Sequence, residues 1–269
     1  MNVTLNRDKP IVRLRAFRAI DDETSCELFI DGHTRVLTSI GVTKVSSAKH
    51  EWMYNPAVFV LIVESLDGST VYGGARINVA GGTQPLPIEE ATGMLDDKIY
   101  ELVKRYAKSG TGEICGLWNS REIAGYGIGS IFLTRAAVAI AKQVGLKSLF
   151  ALCAPYTVSM AEQVGYSKET SIGNSGTFYY PKLDLIATAM ILHDVETLSL
   201  AMPEDRDAIM LLRNEPDIVK VETLRNKEIE IHYATSIHRI EEWDLDSIIN
   251  NSQIVNFKTK QSDGTINIQ

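Results

Sequence analysis

The residues whose types and spacing could do chemistry lie together in Gly112–Ser130, GEICGLWNSREIAGYGIGS. Gly125, Gly127 and Gly129 alternate in a loop between an apolar strand, which runs out through Leu117 and Trp118, and the helical pattern SIFLTRAAVAIAKQVG. Closely spaced glycines ahead of a helix expose main-chain N–H groups, and the helix dipole adds partial positive charge there. Such a loop suits a phosphate or diphosphate. The candidate segment for holding it comprises Leu117, Arg121, Ala124, Gly125, Tyr126, Gly127, Ile128, Gly129 and Ser130. The plainer alternative is a tight turn between strand and helix. A Rossmann dinucleotide site fits less well, because the next strand, Lys147–Ala154, ends in Cys-Ala-Pro without an acidic residue for a ribose.

The elements around this segment follow from periodicity. Residues 11–18 alternate as a strand, and residues 22–40 carry apolar side chains at helical spacing. AVFVLIVES and TVYGGARINV read as two strands joined at Asp67-Gly68, a strong hairpin signal. AGGTQPLPIEEATG (80–93) reads as an irregular loop over a site or interface. DDKIYELVKRYAK is an amphipathic helix, acidic at its start and basic at its end. After the glycine loop and its helix come strand 147–154, a short helix 157–166 and strands near 177–180 and 183–192. Pro203 opens a helix through Arg213, and residues 217–223 and 228–235 form a second hairpin. The chain turns polar beyond about Asn250.

Composition narrows the function classes. The hydrophobic share, 45%, is that of an ordinary folded protein, and the net charge of −7 argues against general nucleic-acid binding, which needs clustered Lys and Arg. The start, MNVTLNRDKP, has no apolar signal core, and the apolar helix 130–145 carries Arg135 and Lys142, so no membrane span is expected and the expected location is cytoplasmic. Cys26, Cys115 and Cys153 stand alone and read as buried thiols, although Cys115 lies on the strand of interest. The five histidines are scattered without ligand spacing, so no metal site is expected.

The element order and the glycine loop together resemble the GNAT superfamily of acyl-CoA-dependent N-acyltransferases. The residues that carry this are Glu113-Ile-Cys-Gly-Leu-Trp, then Ala124-Gly-Tyr-Gly-Ile-Gly129, and Met160-Ala-Glu-Gln-Val-Gly-Tyr166, which resembles a family helix ending in Gly-Phe. A narrower resemblance is to the long-chain N-acyl amino acid synthases and acyl-homoserine lactone (autoinducer) synthases. Gly73-Gly-Ala-Arg76-Ile is similar to their Gly-x-x-Arg-Leu strand and Gln84-Pro-Leu-Pro-Ile-Glu89 to their proline-containing loop; Glu113 matches their Glu-x-Ser-Arg, whose Ser-Arg is missing here. The likeness spans about residues 55–195. Ala124 stands where the family has Arg or Gln, with Arg121 as the nearby substitute, and Ala161 stands where it often has a tyrosine acid.

The resemblance implies an α/β (α+β) fold, a mixed and mostly antiparallel twisted sheet flanked by helices. Residues 1–195 would form the acyltransferase domain, 196–250 an α+β extension and 251–269 a polar tail. It implies acyl transfer from an acyl-CoA or acyl-phosphopantetheine carrier thioester to the amine of a small molecule, without a metal, and acyl carrier protein as a partner. Glu113 is then the general base, direct or through water. A free strand-end N–H at Leu117, Trp118 or Asn119 supports the oxyanion. Of the nearby hydroxyls Tyr156, Ser159 and Tyr166, Tyr156 is the proton-donor candidate. Arg76 binds a carboxylate or phosphate. Each has a bland counterpart: a solvated Glu113, a surface-facing Arg76, core packing at the strand end. The competing function is a non-catalytic sensor of acyl-CoA or acyl carrier protein, motivated by Ala124 and Ala161. A GNAT-shaped interaction protein that holds its partner through 196–269 is the third reading.

Overall fold

The computed structural model describes residues 9–41, 50–181 and 184–250. The expected tail, 251–269, lies outside the described residues.

β1 (Ile11–Arg18) leads into α1 (Glu23–Ser39), whose N-terminus is capped by the Asp22 side chain accepting the Ser25 N–H. β2 (Val58–Glu64) and β3 (Val71–Val79) form the expected hairpin, with Gly68 at φ +73° and the Asp67 Oδ1 accepting the Ser69 N–H at 3.1 Å. Every residue of both strands is buried, as befits the middle of a sheet covered on both faces. The segment expected to be an irregular loop holds a short helix, α2 (Pro87–Thr92), opened by Pro87 and by the Glu89 carboxylate accepting the Leu86 N–H. Capping chemistry overrides the Gly/Pro-rich composition here.

α3 (Lys98–Ala107) precedes β4 (Thr111–Asn119). The helix after the glycine loop becomes regular only at α4 (Leu133–Gln143), because an irregular turn with Ser130 at φ −146°, ψ −112° comes first. β5 (Ser148–Cys153), α5 (Val158–Gln163), a two-residue strand β6 (Ser167–Lys168), β7 (Thr177–Tyr179) and β8 (Ile186–Leu192) follow. α6 (Pro203–Asn214), β9 (Val219–Leu224) and β10 (Lys227–Ala234) come next, and a helical stretch at 245–250 ends the described residues.

The described strands form one ten-stranded sheet in the order β6-β8-β5-β4-β3-β2-β1-β10-β9, with β7 beside β8. Its pairs are antiparallel except β4–β5 and β1–β10. The C-terminal hairpin therefore extends the main sheet, beyond β1. Ala75, Ile77 and Val79 on one face of β3 belong to the large core cluster that contains α4. On the other face α1 lies close, because Gly74 has no side chain: a Cβ there would meet the Phe29 ring at 2.6 Å.

Candidate active site

β4 keeps company with β5 only at its start. The two pair at Thr111↔Ser148, Gly112↔Leu149 and Glu113↔Phe150 and then part. β4 continues to Asn119 along β3, and β5 continues to Cys153 along β8. A fork opens at Glu113. A bulge on the β4 arm, with Gly116 at φ +60°, shifts its register against β3 between Gly74 and Arg76. Gly116 and Leu117 are half-buried, whereas the strand residues before them are buried. Main-chain groups of β4 that would face a neighbour beyond Glu113 have no strand among the described residues to pair with there.

Glu113 is 2% exposed, and its Oε2 accepts the Ile88 N–H of α2 at 2.7 Å. Burial pushes its carboxyl up to about 8, although the Ile88 hydrogen bond and the Arg76 charge pull the other way. Cross-strand neighbours put Asn78 opposite Glu113 and Arg76 opposite Cys115. Arg76 is 1% exposed, so the surface-facing reading of that residue is corrected: β3 is a central strand with α1 over it. Its Nε donates to Cys115 Sγ at 3.4 Å, and its guanidinium lies 4.5 Å from the centre of the Trp52 ring. Beside these residues is a cavity of about 280 Å³, lined by Trp52, Arg76, Asn78, Gln84 and Glu90 among others. The cavity thus combines a cation, an aromatic face, an amide and carboxylates. Burial also raises Glu89 to about 7 and the Cys115 thiol to about 11, which removes Cys115 from consideration as a nucleophile.

The glycine loop has Gly125 at φ +84° and Gly127 at φ +83°, conformations that favour glycine. The amides of Tyr126, Ser130 and Phe132 close internal turns onto Ile123 and Gly127 carbonyls. Those of Gly125 and Gly127 make no hydrogen bond to a described residue. Gly129 is needed because the Asn119 side chain occupies the place of a Cβ, 1.8 Å from Oδ1. Lys227, at the turn of the β9–β10 hairpin, brings its Nζ to 3.3 Å from where a Gly125 Cβ would stand and 4.7 Å from the Tyr126 ring centre. Two left-handed glycines whose amides make no hydrogen bond to a described residue thus lie beside an ammonium.

No family model matches the chain, and neither does any curated protein. Solved structures do. FeeM, an N-acyl amino acid synthase from uncultured soil microbes, matches 71% of this chain and 95% of its own at 14% identity and a TM-score of 0.53. The fold is GNAT-like. The CoA-dependent acyl-homoserine lactone synthase BjaI, solved with SAM and isopentyl-CoA, matches at 13% identity and a TM-score of 0.49, over 80% of this chain and 95% of its own. An acyl-CoA N-acyltransferase from Pseudomonas aeruginosa matches at 14% identity and a TM-score of 0.43, over 67% of this chain and 98% of its own.

Within this GNAT-like frame the residues expected to act divide. Glu113 and Arg76 come together beside the cavity. Trp118 turns its ring inward, 4% exposed, into the space left by Gly32 of α1, so only its main chain faces the fork region. The Asn119 Nδ2 donates to the Ser120 carbonyl at 2.8 Å. Arg121 and Ala124 are exposed, and Tyr126, Gly129 and Ser130 are half-buried; Gly127 and Ile128 are buried. Tyr156 is 78% exposed in the loop after β5, set apart in burial from Glu113. Lys227 and Trp52 escaped sequence reasoning. The first is a hundred residues from the loop it touches, and the second sits in a short turn without periodicity; neither carries a local signal. Among the described residues no group of three or more His, Cys, Asp or Glu could hold a metal, and no helix is long and apolar enough to cross a membrane.

Proposed function

We propose that this chain transfers an acyl group from a phosphopantetheine thioester, carried by CoA or by acyl carrier protein, to the amine of a small molecule. The observation that carries the reading is the fork: the β4–β5 ladder stops at Glu113 while both strands run on. Such an opening admits an extended chain between two strands and leaves main-chain donors of β4 for a developing oxyanion. Glu113 stands at the apex, its carboxyl raised by burial to about 8, in the range where it can take a proton from an amine near neutral pH. Gly125, Gly127 and Lys227 are the residues that would hold the donor's diphosphate. Arg76, with its planar donors, is the residue that would receive an anionic group of the acceptor in the adjoining cavity. Holding thioester and amine together at one point supplies much of the rate.

The reading is supported by the fold shared with FeeM, an N-acyl amino acid synthase. Titration calorimetry with acetyl-CoA and longer acyl-CoAs tests it, followed by thiol release in the presence of a panel of amines. Binding with amine-dependent thiol release is expected. Tight binding without release under any amine makes the protein a sensor, and failure to bind any acyl-CoA or acyl carrier protein removes the assignment.

A further inference from the structure

Tyr166 carries a buried hydroxyl that the mechanism above does not use. It follows Gly165, which has φ +101°, just past the end of α5. The side chain is 4% exposed and packs in the core cluster with Cys153, Ala161, Val164 and Met190. Its hydroxyl has no hydrogen-bond partner among the described residues. A buried phenol ordinarily finds one, and an orphaned hydroxyl lowers stability relative to phenylalanine.

Its place in the sheet gives the orphan a meaning. The next residue, Ser167, pairs with Ile191, which pairs with Phe150, which pairs with Glu113. One row of the sheet thus leads from Ser167, the residue after Tyr166, across β8 and β5 to the apex of the fork. Phe150 and Ile191 belong to the cluster on the α2 and α3 side, toward which Glu113 also points. Tyr166 and Cys153 belong to the cluster on the opposite, α4 side, and Cys153 is the last residue of the β5 arm. The phenol therefore lies on the sheet face opposite Glu113, in the cluster that holds the last residue of the β5 arm.

The geometry points to Tyr166 as a hydrogen-bond donor to the carbonyl oxygen of the acyl thioester in the fork, acting from the face opposite the base; the inference rests on the acyl-transfer reading. No proton leaves the phenol. Burial, with the nearby Cys153 and Glu113 adding to it, holds its titration far above the ordinary tyrosine value, so it is a donor at every pH at which Glu113 works. A donor preplaced where charge develops acts strongly in a dry site.

Tyr166→Phe tests this in the full chain, with octanoyl-CoA labelled with ¹³C at the thioester carbonyl as the binding probe. In the native protein the carbonyl stretch is expected to move to lower frequency on binding, and in the variant that shift should shrink. Thiol release, measured with the same amine panel, should fall about 10²-fold in kcat with KM changed less than threefold. The thermal midpoint should be unchanged or higher, because the substitution removes an unsatisfied buried hydroxyl. Equal rates and an equal carbonyl frequency in an active native protein and its variant would sink the Tyr166 role alone. A native protein that binds no thioester and releases no thiol would sink the transferase reading and this one with it.

Discussion

Replacing Glu113 by glutamine should make the protein more stable and less active, and the structure sets the size of both effects. In the fold the carboxyl titrates at about 8 instead of 4.5. At roughly 1.4 kcal/mol per unit, ionising it in place costs at most about 5 kcal/mol. A raised carboxylate pKa means that stability is complete below the unfolded value and is lost as pH climbs toward the folded one. The glutamine of Glu113→Gln stays neutral throughout, and its Oε1 still accepts the Ile88 N–H. The variant should therefore melt with the native protein near pH 4.5 and progressively above it toward pH 8. Even a third of the upper bound is worth roughly 5 °C in a chain of this size. Over the same range kcat/KM of the native protein should rise about tenfold per pH unit to a plateau near 8, because the base must be ionised. The variant should lose about 10²–10⁴ in kcat/KM while acyl-CoA affinity changes little. Thermal melts at three pH values, with thiol release measured alongside, give the answer. An unchanged rate removes Glu113 from the chemistry, and a constant gap in melting temperature removes the argument about its burial.

Three further outcomes follow from the same geometry. Lys227→Ala should weaken acyl-CoA binding roughly tenfold at low salt, with the loss shrinking at high salt, by calorimetry; equal affinity would take the C-terminal hairpin out of the donor site. Gly127→Ala should lower both thermal stability and acyl-CoA affinity, because the residue sits at φ +83° and a Cβ would meet the Phe132 ring at 2.5 Å. Cys26, Cys115 and Cys153 are all buried and their thiols are pushed up to about 12, 11 and 11, so a disulfide reagent should label none of them at pH 8 until the protein unfolds. Rapid labelling of Cys115 in the folded protein would show that the region beside Arg76 opens.

Much of the frame was legible from local chemistry. Asp67-Gly68 set a hairpin, Pro203 a helix start, and the alternation in 217–235 a second hairpin; each is decided by a few adjacent residues. The glycines at 125, 127 and 129 likewise marked a loop ahead of a helix, and the left-handed φ of Gly125 and Gly127 came only with the structure. α2 was hidden, since its start depends on the Glu89 carboxylate turning back to the Leu86 N–H and on the Glu113 side chain reaching Ile88 from another strand.

By itself, then, the sequence determined most of the strands and helices, where the chain turns, and that a glycine loop precedes α4. Tertiary structure decided where β4 leaves β5, that Arg76 lies within the sheet's covered face beside Trp52, that Lys227 reaches Gly125, and that the Tyr166 hydroxyl is buried without a partner among the described residues. The division has a physical cause. Backbone dihedrals and periodicity are set by near neighbours, whereas burial, cross-strand register and the proton affinities they impose are set by residues that the fold alone makes adjacent.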